Sequence, residues 1–260
     1  MSKVITVANQ KGGVGKTTTV VNLAHALALA RKRVLILDLD PQGQVATFLG
    51  MEQSAGAFYL LSTCLDPQAN LVMIMQQQVR SSGRENLHVI PGSPLTNMAQ
   101  TMLNAANAPV SVIRRLLGLF NGSGPDYILI DTAPSVGGIQ ERAVWGADLV
   151  IVPTLPDSSS LEGVQSMMGM ARELKAKEWA GQVYGILPTH YEERTRESKS
   201  SMADLRKAFG GLVLAPVNDR TALRDARSRG LTIFEYEPDG QPAKEYNDLA
   251  GRILRLNGGK

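Results

Sequence analysis

The 260-residue sequence contains a single cysteine, Cys64. One cysteine cannot form an intramolecular disulfide or a metal cluster by itself, so a fold built on a cysteine framework is excluded. We therefore expect Cys64 to fill apolar space rather than to act as a ligand or nucleophile.

Long apolar runs are also missing. No run approaches the roughly 18 to 20 residues that a membrane-spanning helix needs, and the residues after Met1 lack a signal-peptide pattern. We expect a cytoplasmic protein. The net charge of +3 is only mildly basic and is weak evidence for a polyanionic partner. Between Arg194 and Arg229, however, the sequence has nine Lys or Arg residues and four acidic residues, an excess of five positive charges. That segment is the candidate contact surface for a polyanion.

Short apolar, β-branched runs alternate with helical patterns along the chain. Such runs are typical of buried parallel strands, and the alternation predicts a doubly wound, mostly parallel α/β sheet flanked by helices, in one domain spanning 1–260. The runs are Val4–Val7, Val34–Leu37, His88–Ile90, Tyr127–Ile130, Leu149–Val152, Val183–Leu187 and Leu212–Leu214. The less regular stretch 50–85 is expected to form helices and loops over one edge, with Met73–Met75 on a core face or, alternatively, on an adaptable partner surface.

A glycine-rich segment follows the first predicted strand. It reads Lys11-Gly12-Gly13-Val14-Gly15-Lys16-Thr17-Thr18, with Gln10 where a phosphate loop has its first glycine. A loop between a strand and a helix N-terminus forms an anion cradle from backbone N–H groups, so this segment predicts a P-loop. Lys16 would reach the β- and γ-phosphates, Thr17 would bind Mg²⁺ and Thr18 the α-phosphate.

Lys11 is not needed by a P-loop that acts within one chain. With it, the segment resembles the deviant Walker A signature K-G-G-x-G-K-[ST] of the ParA/MinD family of ATPases. In that family the early lysine reaches across a sandwich dimer to the partner's ATP. The resemblance therefore implies a homodimer closed by ATP, in which Lys11 is catalytic; the alternative is a solvated surface lysine.

Two further segments end strands with carboxylates. Asp38 and Asp40 fall in Asp38-Leu39-Asp40-Pro41-Gln42-Gly43, which is similar to the family's D-x-D-P-Q-G motif, where the second aspartate orients the attacking water. Asp40 would take that role, and Asp38 a supporting one through Mg²⁺-bound water or the loop backbone; capping of the following helix is the alternative. Asp131 closes an apolar strand as a Walker B acid does and would hold Mg²⁺ through its water shell. Gly137 and Gly138 follow in a predicted switch loop.

The carboxyl-terminal third offers candidates for the base and for DNA. Pro216, Val217 and Asn218 provide an apolar wall and one amide suited to a purine edge, although Pro216 is equally well explained as a strand terminator. Four arginines, on or beside a helix from about Thr221 to Arg229, would contact DNA phosphates without reading bases: Arg220, Arg224, Arg227 and Arg229. A solvated face paired with nearby acids is the alternative.

The resemblance implies a nucleoid-associated ATPase that binds ATP and Mg²⁺, dimerises, holds non-specific DNA and answers to a ParB-like adaptor or cargo-bound activator. Because no arginine finger can be assigned, we expect slow hydrolysis alone. The alternatives are a MinD-like membrane-cycling ATPase and an ATP-gated scaffold with negligible turnover. The last helix, near Tyr246–Leu256, is expected to dock as a core helix, so no stable membrane binding is expected. No DNA-reading helix-turn-helix is expected before Val4.

Overall fold

The computed structural model describes residues 2–120, 124–135, 137–157, 160–218 and 221–257. In this part of the chain seven strands form one sheet: β1 (Lys3–Val7), β2 (Val34–Asp38), β3 (Arg80–Ser81), β4 (Leu87–Ile90), β5 (Tyr127–Asp131), β6 (Leu149–Thr154) and β7 (Gln182–Pro188). Their order is β3-β4-β2-β5-β1-β6-β7, and only the β3–β4 pair is antiparallel. The predicted doubly wound, mostly parallel sheet is confirmed.

Helices connect the strands and cover both faces of the sheet. They are α1 (Lys16–Leu29), α2 (Gln44–Phe48), α3 (Gly56–Thr63), α4 (Leu71–Gln78), α5 (Thr96–Ala105), α6 (Val112–Leu117), α7 (Gly138–Gly146), α8 (Ser160–Ala176), α9 (Arg196–Phe209), α10 (Thr221–Ser228), α11 (Ile233–Tyr236) and α12 (Gln241–Asn257), with a 3₁₀ turn at Gly210–Leu212. None of the described helices combines the length and the apolar character needed to cross a membrane.

Two apolar cores lie on opposite faces of the sheet. Successive side chains of a strand point to opposite faces, so Val4 of β1 packs into one core while Ile5 and Val7 pack into the other. All five residues of β2 and of β5 are buried. A strand buried on both faces needs a continuous apolar sequence, which is why these strands were predictable.

The first and last helices form one layer over the second core. Most of α1 is buried because it lies between the sheet and α12. On α12, Tyr246, Leu249 and Ile253 are buried, whereas Leu256 is half exposed. The prediction that this helix docks into the core is confirmed. Its apolar residues from 246 to 253 are covered by protein.

Two edge predictions need correction. The predicted strand Leu212–Leu214 is wrong, since the segment leaves a 3₁₀ turn and makes only an isolated bridge between Val213 and Ile186. The seventh strand is instead β3, whose two exposed polar residues carry no apolar pattern. On α4, Met75 is buried as predicted for a core face, but Met73 is 49% exposed.

Arg84 links three segments that lie far apart in sequence. Its guanidinium donates to the carbonyl oxygens of Leu49 (2.9 Å) and Gly230 (3.0 Å) and pairs with Glu235 at 2.7 Å. The side chain is only 9% exposed. Hydrogen bonds from a buried guanidinium are strong, so Arg84 holds the residues after α2 against those after α10.

Candidate nucleotide-binding site

The glycine-rich loop occupies the carboxyl edge of the sheet, between β1 and α1. Gly13 and Gly15 adopt left-handed φ angles of 72° and 76°, which a residue with a Cβ rarely adopts. Gly15 is the N-cap of α1 and offers no side chain to its first N–H groups. Those donors, together with the positive end of the helix dipole, face a cleft suited to an anion. The predicted phosphate cradle therefore has the required backbone shape.

Lys16 lies in this cleft. Its Nζ donates to the carbonyl oxygen of Lys11 at 2.9 Å, and the residue is 6% exposed. Burial lowers the pKa of Lys16, while the nearby carboxylates of Asp131 and Asp40 oppose that shift. A buried ammonium with few partners gains from an incoming polyanion, so Lys16 is suited to a phosphate.

Thr17 and Asp131 form the candidate magnesium site. The Thr17 hydroxyl donates to Asp131 Oδ2 at 2.7 Å, and Asp131 is fully buried. Burial raises the pKa of Asp131 to about 7, although the hydrogen bond from Thr17 lowers it. Among the described residues no group of three or more His, Cys, Asp or Glu could hold a metal ion. Mg²⁺ usually takes one or two protein oxygens and completes its shell with water and phosphate oxygens. A cation here would stabilise the buried charge of Asp131.

Asp38 lies beside Asp131 because the two residues are in register across β2 and β5. Asp38 is fully buried, and its two oxygens accept N–H groups of Asp40 (3.0 Å) and Val45 (3.3 Å). Burial, and then the charge of Asp131, raises the pKa of Asp38 well above its ordinary value. The contact from Asp40 favours the supporting role through the loop backbone, whereas the contact from Val45, in the first turn of α2, is the helix-capping alternative. A contact to Mg²⁺-bound water stays a prediction.

Asp40 lines the cleft next to the phosphate loop and is 8% exposed. One of its oxygens accepts the N–H of Gln42 at 2.9 Å, which fixes the carboxylate at the start of the turn. A carboxylate held at the cleft wall can accept a proton from, or orient, a water molecule near the phosphates. Its role in hydrolysis stays a prediction.

Gly92 was not predicted to matter. A Cβ on this residue would lie 2.7 Å from the carbonyl oxygen of Asp40 and 2.8 Å from that of Asp38. Glycine is therefore required so that the chain after β4 can approach both aspartates. The only sequence signal is the Pro91-Gly92 pair directly after a predicted strand.

Lys11 points away from its own phosphate cradle. Its Nζ pairs with Asp157 at 2.7 Å, and the side chains are 30% and 32% exposed. The described residues that line the cleft include Lys16 but not Lys11. Asp157 lies between β6 and α8, and sequence reasoning did not connect it to Lys11, which is 146 positions away.

The far end of the cleft contains two of the three predicted base contacts. Val217 and Asn218 line it together with Phe48, Leu223 and Tyr246, whereas Pro216 is not among its lining residues. The Asn218 amide is held by Glu245 of α12, a residue that sequence reasoning missed.

The described DNA candidates Arg224, Arg227 and Arg229 are all exposed. Arg224 and Arg227 line the mouth of the cleft, and the Arg227 guanidinium stacks over the ring of Phe48 at 5.2 Å. Arg229, just past α10, lies over Tyr236 at 5.3 Å. Arg220 lies outside the described residues. The DNA contacts remain predictions. Arg224 and Arg227 also line the cleft, a placement that the sequence did not indicate.

A parallel α/β sheet with a phosphate cradle, a buried lysine and a threonine–aspartate pair at its carboxyl edge defines a P-loop nucleotide-binding protein. A family model described as an AAA domain matches residues 2–180. The chain is 34% identical over 252 residues to the chromosome-partitioning ATPase Soj of Thermus thermophilus, covering 96% of this chain and 94% of that protein. The chain belongs to the ParA/MinD family of P-loop ATPases.

Solved structures share the fold at lower identity. McdA from Cyanothece, solved as an Asp-to-Ala variant in complex with ATP, superposes with a TM-score of 0.84 at 22% identity, covering 97% of this chain and 96% of that one. MinD from Pyrococcus horikoshii, complexed with Mg-ADP, gives 0.79 at 20% identity, with coverage of 99% and 98%. At these identities the likeness establishes the fold. Partition proteins and a septum-site protein share it, so the fold does not separate those functions.

Proposed function

We propose that this protein is an ATP-driven dimerising switch that binds non-specific DNA and hydrolyses ATP slowly to position a plasmid, chromosome or protein cargo. A ParB-like adaptor or cargo-bound activator would stimulate ATP hydrolysis and so end the ATP-bound state. The DNA-bound form would be nucleoid-associated. The orientation of Lys11 carries this proposal. Its side chain is 30% exposed, is paired with Asp157 and is not part of the cleft lining, although it belongs to the same loop that cradles phosphate. By exchanging that ion pair, it would reach a second nucleotide brought by another copy of the chain.

The open cleft supports the same conclusion. Its volume is about 260 Å³, slightly below the roughly 300 to 1,000 Å³ of pockets that enclose a small molecule. A nucleoside triphosphate would protrude from it into solvent. A second copy facing the cleft would cover the exposed phosphates and exclude water, which strengthens every charge interaction in the site.

Slow hydrolysis follows from the residues in the cleft. Phosphoryl transfer depends on positioning and charge neutralisation more than on covalent chemistry. Lys16 and the N-terminus of α1 would neutralise the phosphates, Thr17 and Asp131 would hold Mg²⁺, which withdraws charge from the phosphate oxygens when bound, and Asp40 would orient water. Lys11 of a partner copy would add charge that a monomer lacks.

DNA binding is assigned to the arginines of α10. Arg224 and Arg227 are exposed on the helix face opposite the buried Ala222 and Ala226. Arginines that contact phosphates without base contacts give affinity that is independent of sequence and falls steeply with salt. In a dimer the surface would occur twice, which raises affinity for a long polyanion by multivalency.

A gel-shift assay on non-specific DNA with ATP, with ADP and without nucleotide tests the proposal. Lys11→Ala should fail to form the DNA-bound dimer, Asp40→Ala should trap it, and Arg224→Ala should dimerise with ATP yet bind DNA poorly. Arg172→Ala, which removes an exposed arginine of α8 outside the basic segment 194–229, is the matched control and should bind DNA normally. DNA binding that ignores the nucleotide, or an Asp40→Ala protein that stays monomeric in saturating ATP, would overturn the switch.

Two further assays separate the proposal from its rivals. The protein should not co-sediment with anionic liposomes in the presence of ATP, because the apolar residues of α12 up to Ile253 are buried. Phosphate release should rise when DNA and the activator are both present, whereas an ATP-gated scaffold would show no turnover under any condition.

A further inference from the structure

Glu245 of α12 is bound from three sides at the base end of the cleft. The backbone N–H of Asn218 donates to one carboxylate oxygen at 3.0 Å, and the Asn218 side-chain Nδ2 donates to the other. Gln241, one helical turn earlier, also donates to that second oxygen, at 3.1 Å. Glu245 is half-buried. The carboxylate is therefore held in one orientation by three N–H donors, two of them from Asn218.

These contacts determine which end of the Asn218 amide faces Glu245. A carboxylate only accepts hydrogen bonds, and an asparagine amide has one donating and one accepting end, so the NH₂ group must point at Glu245. The Oδ1 atom then points the other way, on a residue that lines the cleft. Among the described residues, no donor reaches Oδ1. Asn218, a cleft-lining residue, thus retains an amide oxygen that can accept a hydrogen bond from a ligand.

We propose that Glu245 is a positioning residue that fixes the Asn218 amide with its oxygen toward the base, and that this makes the site select adenine over guanine nucleotides. The inference rests on the proposed function in taking a purine nucleotide as the ligand. The 6-amino group of adenine donates a hydrogen bond, whereas the 6-carbonyl of guanine accepts one. An amide oxygen held in one orientation pairs with the 6-amino group of adenine and repels the 6-carbonyl oxygen of guanine.

The expected selectivity follows from the cost of an unmade hydrogen bond. Leaving a polar group of the site unpaired against the wrong base lowers affinity by about tenfold to a hundredfold. In the wild type we therefore expect ATP to bind at least about tenfold more tightly than GTP.

The experiment measures the affinities of ATP and GTP, each with Mg²⁺ and without DNA, by fluorescence titration of the full chain. In Glu245→Gln the new amide can both donate and accept hydrogen bonds, so the Asn218 side-chain amide can flip by 180° and point its NH₂ group at the base. We expect the ATP-to-GTP affinity ratio to fall about tenfold. The double variant Asn218→Asp with Glu245→Gln reverses donor and acceptor and leaves a carboxylate oxygen facing the base. It should restore the preference for ATP. Asp248→Asn, which neutralises an exposed carboxylate on the same helix, should leave the ratio unchanged.

The ATP-to-GTP affinity ratio distinguishes a positioning role from a merely structural one, because damage to α12 would lower the affinities for ATP and GTP equally. Equal ATP and GTP affinities in the wild type would overturn this inference alone, as would a Glu245→Gln protein with an unchanged ratio. Failure of the double variant to restore the ratio, while its thermal unfolding matches that of Glu245→Gln, would also overturn it. Absence of any nucleotide binding by the wild type would overturn the proposed function as well.

Discussion

Replacing Asp157 by asparagine removes the charge that holds Lys11 within its own chain. The two side chains form an ion pair at 2.7 Å, with 30% and 32% of their surfaces exposed. If Lys11 must leave Asp157 to reach a second nucleotide, then the ion pair opposes closure of the dimer. We predict that Asp157→Asn strengthens ATP-dependent dimerisation.

The size of the effect follows from the exposure of the pair. Partly exposed ion pairs contribute about 0.5 to 1 kcal/mol. A dimer breaks two of them, so the variant should gain about 1 to 2 kcal/mol, or about 5-fold to 30-fold in the dimerisation constant. Salt screens the pair in the wild type, so the difference should shrink as ionic strength rises.

Sedimentation velocity in saturating ATP measures this constant. Asp40→Ala provides a background in which turnover does not deplete the dimer. Glu162→Gln is the matched control, since it removes an exposed carboxylate of α8 and changes the net charge equally; it should leave the constant unchanged. A dimer that is no tighter in Asp157→Asn than in the control would refute the reasoning. A weaker dimer would mean that Asp157 acts within the closed form.

Two predictions concern residues that support the site. Arg84→Ala should lower the free energy of unfolding by about 3 kcal/mol, because it removes a buried donor from two backbone carbonyls and a partner from Glu235; urea denaturation measures it. Burial acts to raise the pKa of Glu235, but hydrogen bonds led by that from Arg84 outweigh it and lower the pKa. Such a carboxylate stabilises the fold above its unfolded pKa and loses this contribution in acid, so the difference between Arg84→Ala and wild type should narrow below about pH 4. Gly92→Ala should cost about 1 to 3 kcal/mol and weaken ATP binding, because its Cβ meets two backbone oxygens. Gly169→Ala in α8, where an added Cβ meets no atom within 4 Å, should instead raise the melting temperature slightly. Equal destabilisation by both glycine variants would contradict the packing argument.

Local chemistry made much of the site predictable. The phosphate loop needs Gly13 and Gly15 for their left-handed backbone, and an apolar strand that ends in an aspartate, as β5 does at Asp131, is typical of a magnesium-binding edge. The central strands were predictable for a similar reason, since burial on both faces demands an unbroken apolar run. In each case a short segment carries its own constraint.

What could not be predicted depends on contacts between distant segments. The Lys11–Asp157 pair spans 146 positions, and the hold of Glu245 on Asn218 spans 27. The apolar run Leu212–Leu214 has a strand's composition, yet it follows two glycines and makes only one bridge, so tertiary context overrides its propensity. Arg84 likewise joins the residues after α10 to those after α2, far apart in sequence. No periodicity in the helix itself indicates that Arg224 faces a cleft.

The place of Arg224 and Arg227 at the cleft mouth has a thermodynamic consequence. If these side chains hold DNA, then two ligands share one short helix, and their binding free energies are linked. Linkage is reciprocal: the factor by which ATP tightens the grip on DNA is also the factor by which DNA tightens the grip on ATP. A molecule resting on the chromosome would then retain its nucleotide better than one that diffuses freely, and anything that loosens either ligand would loosen both.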